Sequence, residues 1–171
     1  MADLLTHVLV GYSLATLLSF RYEWLSPRYV TVAMAGSLIP DMNRAELFVS
    51  GRAVEAALGV PFSWGAFHTM GGSLLAVAVG ALLVRPGIRV RVAALLFLGM
   101  ASHHALDLLL INPSGHSYAA FWPITGYNPP TPNLYLSSDR WPAAVSGALA
   151  AGIWYVRYRS PFATGSRTEG R

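Results

Sequence analysis

Five apolar runs govern what this chain can become: residues 4–20, 29–39, 67–84, 90–111 and 142–158. Inside a bilayer each backbone N–H and C=O must be satisfied within its own segment or a closed barrel, so runs of this kind predict helices. The second run is short, and Trp24 and Leu25 bring it near the roughly 17 residues a span needs. The first run does not read as a signal peptide, because Asp3 stands where a positive charge belongs and no small-residue cleavage site precedes Arg21. Charge is scarce: 12% of the 171 residues are charged and 54% are hydrophobic, where a soluble domain carries about 25% charged residues. The expectation is an all-α integral membrane helical bundle of about five transmembrane helices. It forms a single domain over residues 1–159, followed by a disordered tail at 160–171.

The same composition excludes several functions. With no cysteine, a disulfide framework, a zinc ribbon and a thiol nucleophile are impossible. The net charge of +4 rests on arginines scattered in short groups between the apolar runs, not on one basic patch, which argues against nucleic acid as a partner. No phosphate-cradling glycine loop is present. Ser13, Ser73 and Ser146 lie in the runs without a companion base, so a serine nucleophile has little support. The arginines also orient the chain. With an outside N-terminus, nine of the twelve fall on the inner side, which places the C-terminus in the cytoplasm.

Between the runs lie two ordered loops. Residues 42–64 are mixed, with a short surface helix expected over 53–59. Residues 112–141 are rich in proline, which favours turns and extended backbone. The aromatic residues there, Trp122, Tyr127, Tyr135 and Trp141, read as an interfacial belt.

The polar residues within the runs fall in register. Asp3, His7, Gly11 and Ala15 are spaced by four; so are Ala33, Ser37 and Asp41, and so are Gly99, His103 and Asp107. Steps of four share a helix face. His68 is likewise followed by Gly72, Ala76 and Gly80, small residues that let helices approach closely. Antiparallel succession of the helices then brings His7, Asp41, His68, His103 and Asp107 to one depth, near the outer surface. Ionisable groups inside a span are costly and mark function. Imidazole with carboxylate suits zinc or a similar first-row divalent cation. His104, about 100° around the helix from His103, faces the site rim or a neighbouring helix. His116 reads as an ordinary loop histidine.

Thr6-His7, Pro40-Asp41, Phe67-His68-Thr69 and Ser102-His103-His104 through Asp107 together resemble the YdjM-like family of membrane-bound metal-dependent hydrolases, described as LexA-binding and inner-membrane-associated. The resemblance runs to about Trp122-Pro123. It implies that His7, Asp41, His68, His103 and Asp107 are the metal positions, and by analogy a lipid or phosphoester substrate. Two positions depart from the family pattern. Ser63 and Trp64 stand where its second motif has His and Arg, and Asn43 replaces an acid, which favours one metal ion over two.

The expected function is therefore hydrolysis with a divalent metal, zinc foremost, in a multi-pass membrane protein whose other partner is the lipid bilayer. Asp41 or Asp107 serves as ligand or proton acceptor, and His104 as an acid or base outside the ligand set. Two other readings stand beside it: a non-catalytic membrane protein whose metal or polar cluster ties the helices together, and a small transporter. The oligomeric state is open.

Overall fold

A computed structural model describes residues 3–159 of the chain; the tail expected to be disordered lies outside them. The described residues form six α-helices: α1 (Leu4–Leu18), α2 (Pro27–Gly36), α3 (Gly51–Leu58), α4 (Met70–Leu82), α5 (Arg89–Asp107) and α6 (Trp141–Arg159). Five of them match the apolar runs, and α3 is the expected surface helix. Three of the starts have a side-chain cap. Asp3 caps α1 by accepting from the Thr6 N–H over 2.9 Å, Ser50 caps α3, and Thr69 caps α4. Gly59 ends α3 with φ of 68°, a left-handed conformation that suits glycine.

No helix among the described residues is long and apolar enough to cross a membrane. α5 and α6 have 19 residues each, about 28 Å at 1.5 Å per residue. However, arginines occupy the start of α5 and the end of α6. α2 stops after 10 residues because Pro40 has no N–H to give back to the preceding turn, and a 3-10 helix, Pro40–Leu47, takes over. The all-helical architecture is as expected.

α2 lies against both α1 and α5, with α4 on the far side of α5 and α6 on the outside of α1. The helices approach closely at the Ala33 carbonyl of α2. A methyl group at Gly11 of α1 would sit 3.2 Å from its oxygen, and one at Gly99 of α5 would overlap it. Glycine lets three backbones meet there. One apolar core joins Ala15, Val30, Ala33 and Leu95. A second joins Ile39, Val77, Val92, Leu96 and Met100 and fixes α4 on α5.

Here the structure corrects one expectation. His68 is not the first residue of the α4 stripe but the last of a separate 3-10 turn, Trp64–His68. α4 buries Ser73, Val77 and Ala81, one position round from the expected stripe. Gly72, Ala76 and Gly80 instead line an open groove. Gly72 still needs to be glycine, because a Cβ there would overlap the Ala66 carbonyl of that turn.

Candidate metal centre

The five histidines and aspartates expected at one depth do meet at one end of the bundle. His7 comes from the first two turns of α1, Asp41 from the 3-10 helix after α2, His68 from the turn before α4, and His103 and Asp107 from the last turns of α5. His7, His103 and Asp107 are fully or almost fully buried, and so is Asp41. Asp107 lies at the middle. His68 Nε2 is 3.0 Å from its Oδ2, His103 Nε2 is 3.4 Å from the same oxygen, and His7 Nε2 is 3.4 Å from Oδ1. The His7 and His103 rings stack, with centroids 3.6 Å apart.

Carbonyls at the end of α2 and at the start of the following 3-10 helix orient two of the imidazoles. The last carbonyls of a helix have no partner within it. The Ser37 carbonyl accepts from His103 Nδ1 over 2.7 Å, and the Pro40 carbonyl accepts from His68 Nδ1 over 3.3 Å. A carbonyl can only accept, so Nδ1 carries the hydrogen on both rings. In the neutral ring Nε2 is then a lone pair, and on both residues it faces the Asp107 carboxylate. A lone pair 3.0–3.4 Å from a carboxylate oxygen is repelled unless a proton or a metal ion lies between them. Histidines that bind metals are oriented by this kind of bond from the other nitrogen.

The lack of hydrogen bonds in the cluster points to the same conclusion. His7 Nε2, His103 Nε2 and Asp41 Oδ2 are buried without a hydrogen-bond partner, a costly state for polar groups. The other Asp41 oxygen is held by Arg44 Nε at 3.1 Å. Two sets of ligand atoms, His7/His103/Asp107 and Asp41/His68/His103, each lie within 4.8 Å of one another and could hold a metal ion. They share His103. The residues present therefore fit a divalent cation.

A family model described as YdjM inner membrane protein matches residues 1–165. The chain belongs to the YdjM inner membrane protein family. No curated protein and no solved structure matches it.

In this YdjM family member the remaining polar residues lie outside the five-residue cluster. Asp3 is a helix cap, with its second oxygen accepting from the Thr6 hydroxyl over 2.7 Å. His116 is exposed in its loop and bonds to the Ser114 carbonyl. His104 is buried, with both ring nitrogens engaged. Ser73 Oγ donates to the Phe67 carbonyl at 2.6 Å, so at 3.1 Å it accepts from His104 Nε2. That leaves His104 Nδ1 to accept from the Tyr118 hydroxyl at 2.7 Å.

This chain corrects one reading. Ser73 does have a companion histidine, yet it is fully buried and its hydrogen is committed to Phe67, so it is no nucleophile. His104 is tied between Ser73 and Tyr118.

Tyr118 was missed in the sequence. It sits in the proline-rich loop, 14 residues from its partner, and no periodicity links a loop residue to a helix face. Its ring lies 4.7 Å from that of His68. Burial, aided by the Asp107 charge, pushes its phenol well above the ordinary range, so it stays an O–H donor. A cavity of about 260 Å³ lies beside it, lined by His68, Asp107, Asn112, Ser117, Tyr118 and Thr131.

Proposed function

We propose that this YdjM family chain is a multi-pass membrane hydrolase that works with one divalent metal ion, zinc foremost, held by His7, Asp41, His68, His103 and Asp107. The observation that carries the reading is the pair of carbonyl-oriented imidazoles, His68 and His103, presenting Nε2 lone pairs to Asp107. Such an ion supplies Lewis acidity, polarising an ester or phosphoryl oxygen and acidifying water near neutral pH. Asp41 and Asp107 accept protons or complete the ligand set. Tyr118, whose hydrogen is given to His104, can accept a hydrogen bond at the mouth.

The cavity beside His68 and Asp107 favours catalysis over a structural metal, which protein ligands would close off. The family description as an inner membrane protein supports a bilayer setting, as do the exposed apolar side chains of α4 and α6, among them Leu75, Leu82, Leu149 and Trp154. Where helices are short, irregular backbone such as the 3-10 helix at Asp41 is tolerated when it lines a polar site. The arginine distribution puts the N-terminus and this centre outside.

Elemental analysis of protein purified in detergent is the test. We expect close to one equivalent of metal, removed with chelator together with ester or phosphoester turnover. Turnover that survives complete metal removal would overturn the reading, and so would a metal-free preparation with no melting shift on adding zinc or manganese.

A further inference from the structure

A groove of about 650 Å³ runs beside α4, between α2 and the turn that carries His68. Ile39, Met42, Phe62, Phe67, Val79 and Leu83 line it, and the small side chains Ala76 and Gly80 leave it its room. Along α4 it extends from Gly72 to Leu83, about 16 Å at the helical rise. Its volume is that of a small-molecule site, about 300–1,000 Å³, but such sites place several polar groups to orient their ligand. Here Ser63 is the one lining residue with a polar side chain, and none is charged. Only a ligand apolar along its length matches that surface.

One end of the groove is formed by chain neighbours of the His/Asp centre, since Met42 follows Asp41 and Phe67 precedes His68. The rim is apolar as well. Phe62 packs edge-on against Trp64 at 4.9 Å, and Trp64 Nε1 donates to the Val49 carbonyl at 2.8 Å. Beside them in the chain, Leu47, Phe48, Leu58 and Val60 are exposed. Single exposed apolar residues are ordinary, but a contiguous group marks an interaction surface.

We infer that this groove binds one acyl chain of a lipid drawn from the bilayer, with the lipid's polar end at the His/Asp centre. The orientation rests on the hydrolase reading; the occupancy of the groove does not. The substrate class that follows is a lipid, not a soluble phosphoester. The polar end enters the cavity lined by Tyr118, Ser117 and Asn112, which holds none of the arginines that a free phosphate would require.

The test uses the full chain in phosphatidylcholine vesicles with a 16-carbon fatty acid carrying a photoreactive diazirine at its far end, followed by peptide mapping of the label. Label should concentrate on residues 35–42 and 62–83 over the exposed apolar face of α6 at Leu149 and Trp154. Ala76→Phe, which obstructs the groove by about two methylenes' worth of contact, should reduce groove labelling about tenfold and leave α6 labelling unchanged. Val79→Trp, at a half-exposed position, obstructs the groove without repacking a core and should do the same. Metal content is read on the same samples. Groove labelling in a protein that takes up no metal would support the acyl site while removing the hydrolase reading. Label spread evenly over α4 and α6, or unaffected by both substitutions, would overturn the acyl site whatever the metal content.

Discussion

His103 on α5 donates its Nδ1 hydrogen to the Ser37 carbonyl at the end of α2 across 2.7 Å. The termination of one helix thereby decides which nitrogen of a side chain on another is left to bind. His68 and the Pro40 carbonyl repeat the arrangement.

The first prediction concerns the centre. His103 belongs to both candidate ligand sets, so His103→Ala should lower metal affinity at least about 10- to 100-fold, the range reached by losing even an orienting partner. His116→Ala, in the exposed loop, should leave it unchanged. Metal content after dialysis against a graded chelator series measures both. Equal content in the two variants would remove His103 from the site.

A second prediction separates His104 from the ligands. Tyr118→Phe removes the donor to the buried His104 Nδ1, which should cost about 1–3 kcal/mol of stability and leave metal stoichiometry intact. Thermal melting and elemental analysis on one sample decide it. Loss of metal with Tyr118→Phe would mean that the phenol, not only its partner histidine's neighbour, belongs to the ligand set.

Glycine positions give a third, with opposite signs. Gly99→Ala places a methyl group into the Ala33 carbonyl, and such overpacking costs about 1–3 kcal/mol. Nothing lies within 4 Å of a Cβ at Gly152 of α6, so Gly152→Ala should stabilise by about 0.5–1 kcal/mol through helix propensity. Melting in a single detergent checks the pair. A neutral Gly99→Ala would refute the three-backbone contact.

Topology supplies the fourth. Gly87, between α4 and α5, has open space around it, and Ser114 lies in the exposed loop after α5. The chain has no cysteine of its own, so Gly87→Cys and Ser114→Cys each give a single reporter. In intact cells a membrane-impermeant maleimide should label Ser114→Cys and spare Gly87→Cys. Labelling of both from outside would reject the proposed orientation.

The sequence by itself determined the helices and the meeting of the five histidine and aspartate residues. Apolar runs bounded by arginine, proline and glycine set α1, α2, α4, α5 and α6 to within a few residues. Steps of four placed His7, Gly11 and Ala15 on one buried face, and Gly99, His103 and Asp107 on another, because the helical period acts locally. The same rule failed at His68, where a 3-10 turn and the Thr69 cap break the period before α4 begins. It failed again for Gly72, Ala76 and Gly80, where small residues open a groove as readily as they admit a partner helix. Only the tertiary structure decided that His104 is tied between Ser73 and Tyr118, and that the Ser37 and Pro40 carbonyls set the tautomers of His103 and His68. Those bonds join backbone or loop atoms to helices distant in sequence. No spacing encodes them, since they depend on where the helices end and how the proline-rich loop lies across them.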